Sequence, residues 1–169
     1  NVLRNSAIQF SSKEKSITIT DSPRRLKLKS KPSKLLLNAQ SNPYIWINQT
    51  NEKINLREQL LFDTGMDGFY DISMPLYNEH SEKFTHLNII AKSSGTFSMG
   101  LHGNADVTEN YKFLLPEMVI NNVAFKNVIT ETTYGTNSRI GATLLKYGIV
   151  TVDYKNKKFK KMNFLFFDF

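Results

Sequence analysis

The sequence predicts a mainly β protein, because short runs rich in β-branched and aromatic residues recur along the chain with turn signals between them. The runs are Ser16 to Thr20, Leu35 to Asn38, Tyr44 to Gln49, Gln59 to Asp63, Leu87 to Lys92, Tyr111 to Leu115, Val123 to Thr130, Ile149 to Tyr154 and Lys158 to Phe167. Turn signals such as Ser93-Ser94-Gly95 separate them. Helical periodicity is confined to about Met74 to Glu82 and Gly141 to Tyr147, which predicts one or two short helices.

Composition limits the classes of protein that this chain can represent. Its 169 residues, 40% of them apolar, can fill one sizeable core. Because the chain has no cysteine, disulfides, thiolate metal sites and cysteine nucleophiles are excluded. No run of 18 apolar residues occurs, so we expect no membrane span.

The net charge of +7 comes from two short segments of the chain. Residues 13 to 34 hold eight of the 22 Lys and Arg residues, and residues 155 to 161 hold five. The rest of the chain has nine basic and thirteen acidic residues, so its net charge is negative. Basic turns and edge strands of this kind discourage aggregation, so we expect no nucleic-acid partner.

An internal repeat organises the two ends of the chain. Residues 1 to 10 align with residues 143 to 152, apolar on apolar and basic on basic, and Lys13 and Lys15 then fall on Lys155 and Lys157. Both copies have the pattern of a helix end, a strand, a basic turn and a strand. We therefore interpret residues 1 to 21 as the end of a preceding domain, residues 22 to 34 as a basic linker and residues 35 to 169 as a second domain. Shared hairpin patterning and an ordered arm at 22 to 34 are the alternatives.

The motif with the clearest chemistry is Asp63-Thr64-Gly65, which follows the apolar run Gln59 to Phe62. A carboxylate, a hydroxyl and a glycine at the end of a buried strand can form a catalytic loop. The same three residues can also form an ordinary Asx turn, so the tripeptide alone does not decide between the two.

A second element downstream gives the motif its context. Asn137-Ser138-Arg139-Ile140-Gly141 precedes a short helical stretch, and the strand Ile149 to Tyr154 follows. With Asp63-Thr64-Gly65, this order makes residues 59 to 162 similar to the retropepsin-like and pepsin-like aspartic peptidases. Together with the repeat, the chain resembles the C-terminal lobe of a two-lobed bacterial-type member. Met66 departs from the usual Ala or Ser of the family, and only one Asp-Thr-Gly is present.

The resemblance implies a closed acid-protease-like β-barrel lobe and an aspartic endopeptidase that needs no cofactor or metal. It implies that Asp63, Thr64 and Gly65 form the catalytic loop, and that Ile140 and Gly141 support it from below. It also implies a substrate-covering flap at residues Ser94, Gly95, Thr96, Phe97 and Ser98. Such enzymes cut peptide or protein substrates with two aspartates, one from each lobe, so the implied partner is a preceding lobe or a second copy. A periplasmic or secreted location follows from the resemblance alone.

Other interpretations have weaker support in the sequence. His80, His86 and His102 lack metal-ligand spacing, and Asp63, Asp67 and Asp71 lack the spacing of a calcium loop. No Gly-x-Ser-x-Gly elbow occurs. The alternative that stays open is a noncatalytic β-barrel domain that binds or scaffolds peptides.

Overall fold

The computed structural model describes residues 3–26, 30–50, 54–85, 87–95, 99–100, 103–104 and 108–163. The strands are β1 (Ala7–Ser11), β2 (Ser16–Thr20), β3 (Ser33–Lys34), β4 (Leu36–Leu37), β5 (Pro43–Thr50), β6 (Asn55–Phe62), β7 (Tyr70–Ser73), β8 (Ile89–Gly95), β9 (Met99–Gly100), β10 (Gly103–Asn104), β11 (Thr108–Ile120), β12 (Val123–Thr133), β13 (Arg139–Ile140), β14 (Gly148–Asp153) and β15 (Lys158–Asn163). The helices are α1 (Met74–Glu79), α2 (Ser81–Phe84) and two 3-10 segments, Pro23–Arg25 and Ala142–Tyr147.

Six strands form a closed barrel. They follow the order β5, β6, β13, β7, β12 and β11, and the ring closes because β11 pairs with β5 as well as with β12. β4 and β8 extend the sheet outside the ring. The barrel and the short helices confirm the predicted fold class.

The barrel interior is built by alternation along the strands, as β6 illustrates. Leu56, Glu58, Leu60 and Phe62 are buried, whereas the residues between them are exposed or half-buried. Every second side chain of a strand points to the same face, so β6 carries its apolar residues into the core and ends directly before Asp63. The Asp-Thr-Gly loop is thereby attached to a rigid element.

Strand β11 of the barrel is longer than the predicted run Tyr111 to Leu115. The predicted run ends at Leu115, directly before Pro116, which cannot donate a ladder hydrogen bond. In the structure β11 continues to Ile120, and its register with β12 is the same before and after the proline. Asn127, opposite the proline, has a positive φ of 52°. The sequence analysis also missed the short strand β7, and the predicted end of the last strand lies outside the described residues.

A second sheet joins the two copies of the repeat, in the order β2, β1, β14, β15 and β3. The hairpin registers agree after a shift of 142 residues: Ser11 faces Ser16 in the first hairpin, and Asp153 faces Lys158 in the second. Lys15 and Lys157 occupy equivalent turn positions and both have positive φ, 49° and 52°. The two hairpins therefore share their turn geometry as well as their sequence pattern.

The two hairpins are related by a local twofold axis. β1 and β14 are antiparallel, and the centre of their register pairs Gln9 with Thr151, with Nε2 of Gln9 donating to Oγ1 of Thr151 at 3.1 Å. Any antiparallel pair has such an axis, but here it relates residues that the sequence repeat already equates.

The domain boundaries stay a prediction. Within residues 22–34, the described part contains the Pro23–Arg25 segment and β3, which pairs with β15.

Candidate active site

Asp63 lies at the point where β6 leaves the barrel wall. Its backbone N–H donates to the carbonyl of Ile140 at 2.9 Å, and its own carbonyl accepts from Met66 N at 3.2 Å. The strand and the turn both fix the backbone here. The side chain is about one-third exposed, at 32%. Its carboxylate is therefore held by the fold and still reachable from solvent.

The two oxygens of the Asp63 carboxylate have different partners. Oδ1 accepts a hydrogen bond from the Gly65 N–H at 3.0 Å, which closes the Asp-Thr-Gly turn. Oδ2 lies 3.6 Å from Nη1 of Arg139. One oxygen thus fixes the loop, while the other faces a cation.

Ile140 and Gly141 lie beneath the Asp-Thr-Gly loop. Ile140 is fully buried, and Gly141 N donates to the carbonyl of Phe69 at 3.0 Å. A Cβ added at Gly141 would lie 2.2 Å from the carbonyl oxygen of Gly68 and 2.6 Å from that of Met66, so no side chain fits. The supporting role in catalysis that the resemblance implies for these two residues stays a prediction.

The other predicted site residues are placed only in part. Thr64 and Gly65 are exposed at the loop tip. Ser94 and Gly95 end strand β8, which pairs with β11 as a hairpin arm. Thr96, Phe97 and Ser98 lie outside the described residues. Whether the hairpin closes over a substrate stays a prediction.

Two cavities flank the loop. One of about 450 Å³ is lined by Asp63 and Thr64 and by apolar side chains of the first hairpin and the second sheet. A larger one of about 750 Å³ lies behind the loop, against Met66 and Gly68, and contains neither Asp63 nor Thr64 in its lining. The smaller cavity is the one that the candidate catalytic carboxylate can reach.

A buried polar cluster supports β6 and β7 inside the barrel. The Tyr70 hydroxyl donates to Oε2 of Glu58 at 2.6 Å, and Gln49 Nε2 lies 2.7 Å from the Tyr70 oxygen and 3.3 Å from Glu58 Oε2. Burial raises the pKa of Glu58, against the opposing effect of hydrogen bonds from Ser138, Tyr70 and Gln49. Desolvation of the charged form is the larger effect.

The raised pKa of Glu58 predicts a pH-dependent contribution to stability. The folded protein keeps the Glu58 proton above pH 4.5, where the unfolded chain loses it, so stability falls as pH rises through this window. We expect the free energy of unfolding to fall less steeply with pH above 4.5 in Glu58→Gln than in the wild type, with a difference in slope of up to about 1.4 kcal/mol per pH unit. Urea unfolding at several pH values measures this. Glu82→Gln, at an exposed position, is the control, and equal slopes in the wild type and both variants would contradict the prediction.

Sequence analysis did not single out Arg139 or Asp71 as partners of Asp63. Nη2 of Arg139 is 2.8 Å from Oδ2 of Asp71, so the guanidinium bridges two carboxylates. The signal that could have found Arg139 is its position directly before Ile140-Gly141, in the strand that supports the loop. Asp71 had been considered only as a possible calcium ligand.

The described residues offer no candidate metal site. Among them, no group of three His, Cys, Asp or Glu side chains could hold a metal ion, and His86 and His102 lie outside that set. No helix in the described part of the chain is long and apolar enough to cross a membrane.

Comparison with known proteins gives a likeness at the level of fold. No protein-family model and no curated protein matches this sequence. Among solved structures, the chain is similar to a retropepsin-like aspartic protease from Rickettsia conorii, with 17% sequence identity and a TM-score of 0.49. The match covers 78% of this chain and 98% of that chain. At this level it assigns no family, so we base the functional proposal on the residues of this chain.

Proposed function

We propose that this chain is one lobe of an aspartic endopeptidase, with Asp63 as its catalytic carboxylate. The observation that carries the proposal is the loop itself: a reachable carboxylate at the end of a barrel strand, closed onto the Gly65 N–H and supported by Ile140-Gly141. Thr64 is exposed beside it, and in the proposed assembly it would contact the corresponding loop of a partner lobe. No cofactor or metal is needed for this chemistry.

The proposed reaction needs a second carboxylate. Two carboxyl groups about 3 Å apart cannot both ionise at ordinary cost, so the pair keeps one proton. The ionised member accepts a proton from a water molecule, which attacks the scissile carbonyl, while the protonated member donates to the carbonyl oxygen. The product is a tetrahedral intermediate without a covalent bond to the enzyme.

The second sheet suggests where the other lobe would lie. Phe159 and Lys161 on β15 are fully buried, with Lys161 Nζ above the Phe125 ring of the barrel at 5.7 Å. Their repeat equivalents on β2, Ile17 and Ile19, are 65% and 55% exposed. β2 thus exposes apolar side chains where β15 is covered by the barrel. A second barrel, related to the first by the local twofold axis, would cover them. That barrel would come from a preceding lobe or from another copy of this chain.

Peptide cleavage before and after removal of the Asp63 carboxylate tests the proposal. We expect the Asp63→Asn variant to lose cleavage of a mixed peptide library between acid and neutral pH, because an amide cannot act as the base. Asp67→Asn is the matched control, since the Asp67 side chain is exposed and lies in the same loop. Mass spectrometry identifies the cut bonds.

The outcomes separate the possible assemblies. Cleavage by the wild type and Asp67→Asn, but not by Asp63→Asn, means that the chain pairs with itself into a working dyad. If all forms are inactive, the same comparison is made with a preceding lobe attached. Cleavage that survives in Asp63→Asn rejects the catalytic role.

The second candidate function is a noncatalytic peptide-binding or scaffolding barrel. The cation of Arg139 beside Asp63 favours it, because an aspartate engaged in an ion pair can serve structure alone. This candidate predicts that a peptide binds the wild type and Asp63→Asn equally and is never cut. Calorimetric titration with the same peptides distinguishes it from the peptidase.

A further inference from the structure

A third cavity adjoins the candidate catalytic carboxylate and has a volume of about 320 Å³. Five consecutive strands of the sheet, β13, β7, β12, β11 and β8, contribute residues to its lining. Arg139 is one of these residues, and its Nη1 lies 3.6 Å from Oδ2 of Asp63. β8 and β11 are the arms of the hairpin that carries the predicted flap. A peptide held between this hairpin and Asp63 would therefore pass the cavity.

Two buried nitrogens of the cavity lining, Nδ2 of Asn110 and Nε of Arg139, have no hydrogen-bond partner in the described part of the chain. Asn110 is 8% exposed, and its Oδ1 accepts from the Thr132 hydroxyl at 3.4 Å. The Thr132 oxygen in turn accepts from the Tyr111 N–H at 2.9 Å. The Asn110 amide is thus held at its acceptor end, while its donor end is unpaired. Burying a donor without an acceptor is unfavourable, so a ligand that supplies an acceptor is stabilised here.

The Arg139 guanidinium is held in the cavity wall by Nη2. This nitrogen donates to Oδ2 of Asp71 at 2.8 Å and to Oγ1 of Thr133 at 3.4 Å. The backbone register supports the contact, since β13 pairs antiparallel with β7 and places Arg139 directly opposite Asp71. A rotation that gave Nε a partner elsewhere would break the contact with Asp71. Nε therefore stays in the wall as an unpaired donor.

The charges of the lining cancel. Its charged residues form two pairs, Asp71 with Arg139 and Lys112 with Glu131. A carboxylate in the cavity would bring an uncompensated negative charge close to Asp71 and Glu131. A cation or an apolar side chain has no acceptor and would leave the two donors of the wall unpaired. A neutral carboxamide avoids these costs, because its oxygen accepts from the wall and its NH₂ group can donate to the carboxylates.

We propose that this cavity is a substrate subsite for a neutral carboxamide side chain, that of asparagine or glutamine, with Asn110 and Arg139 as its hydrogen-bond donors. The inference rests on the proposed function, because it assigns the cavity to the peptide that is cleaved beside Asp63. A volume of about 320 Å³ lies at the lower end of the range for ligand pockets, roughly 300 to 1,000 Å³, which suits one side chain of a peptide. A site that hydrogen-bonds a substrate group selects against analogues without that group.

A nitrogen-15 NMR titration of the 169-residue chain tests the binding preference without requiring catalysis. The probes are propionamide, which reproduces the glutamine side chain, and propionate, which reproduces that of glutamate. We expect propionamide to shift the Asn110 side-chain amide and Arg139 Nε–H signals along a saturating curve, with a midpoint on the order of 10 mM. Propionate should need a concentration at least about fivefold higher. The side-chain amide of the exposed Asn48 reports nonspecific effects. Equal midpoints, or no saturating shift with propionamide, overturn the proposal.

A variant of Asn110 tests the role of its amide. Asn110→Leu removes the donor with little change in side-chain size, so the propionamide midpoint, followed at the Arg139 Nε–H signal, should rise about 5- to 10-fold. Asn48→Leu, at an exposed position on β5, is the matched control and should keep the wild-type midpoint. A wild-type midpoint in folded Asn110→Leu overturns the assignment. If Asn110→Leu does not fold, the comparison of the two probes on the wild type decides.

Cleavage by the active assembly tests the subsite itself. A peptide library varied around the cut bond should show asparagine and glutamine enriched at one position by about fivefold or more over leucine and glutamate. In Asn110→Leu, the ratio of kcat/KM for a glutamine peptide to that for its leucine analogue should fall about 10-fold. Cleavage without such a preference at any position overturns the inference and leaves the peptidase function intact. If no assembly cleaves peptide, the proposed function fails, and the propionamide titration still decides whether the cavity binds a carboxamide.

Discussion

Replacing Gly141 by alanine is expected to destabilise the fold by about 3 kcal/mol, the largest loss of stability that we predict for a single methyl group. The backbone of Gly141 has φ −98° and ψ −175°, which any residue can adopt, so the cost comes from space alone. The added Cβ would meet the carbonyl oxygens of Gly68 and Met66 at 2.2 and 2.6 Å. Both are backbone atoms of the segment that follows Asp-Thr-Gly, so this segment must move.

The Gly141→Ala prediction has a matched control in Gly135→Ala. A Cβ at Gly135 would have its first neighbour at 3.6 Å, an ordinary contact with the carbonyl of Asn137. Thermal and urea unfolding of both variants measure the difference. We expect a clear loss of stability for Gly141→Ala and little change for Gly135→Ala. Equal stability of the two variants would show that the loop accepts the extra atom.

The sequence was most informative where local chemistry and tertiary structure require the same thing. The run before Asp63 had to be a strand, because its apolar residues need a barrel interior, and β6 ends at Phe62. Ile140-Gly141 was singled out through the family resemblance, and the structure adds the physical requirement for glycine, since no Cβ fits at Gly141. Lys15 and Lys157 were equated from sequence, and their backbones have the same left-handed conformation.

The sequence was least informative where the outcome depends on strand register. Asp71 and Arg139 are 68 residues apart, and only the antiparallel pairing of β7 with β13 brings them together. β7 itself has four residues with no clear alternation, so its pattern is too short to predict a strand. The cluster of Glu58 and Tyr70 could not be predicted either. A glutamate in a strand normally indicates a solvent-facing position, so the sequence gives no sign that Glu58 is buried.

Replacing Lys161 by methionine is expected to remove a strong pH dependence of stability. Lys161 is fully buried on β15, and its Nζ donates to the carbonyl of Tyr147 at 2.6 Å. Burial lowers the pKa of Lys161 from 10.5 to about 7, because the low-polarity surroundings disfavour the charged form. A neutral amine keeps the hydrogen bond to Tyr147, so deprotonation relieves the cost of burial without breaking that contact.

The sign of the effect follows from proton binding in the two states. Between about pH 7 and 10.5 the unfolded chain binds a proton at Lys161 that the folded protein has released, so the free energy of unfolding rises with pH. From pH 7 to 9 we expect the wild type to gain about 2 kcal/mol more than Lys161→Met, measured by urea unfolding below the range in which tyrosines ionise. Lys160→Met, one residue away and half-buried, should follow the wild type. If Lys161→Met keeps the pH slope of the wild type, the buried amine stays charged in the folded protein up to pH 9. The repeat equivalent of Lys161 is Ile19, which is exposed. Burial at this position of the second sheet therefore depends on the barrel that covers it. The pH slope of stability thus also reports that the barrel packs against the sheet.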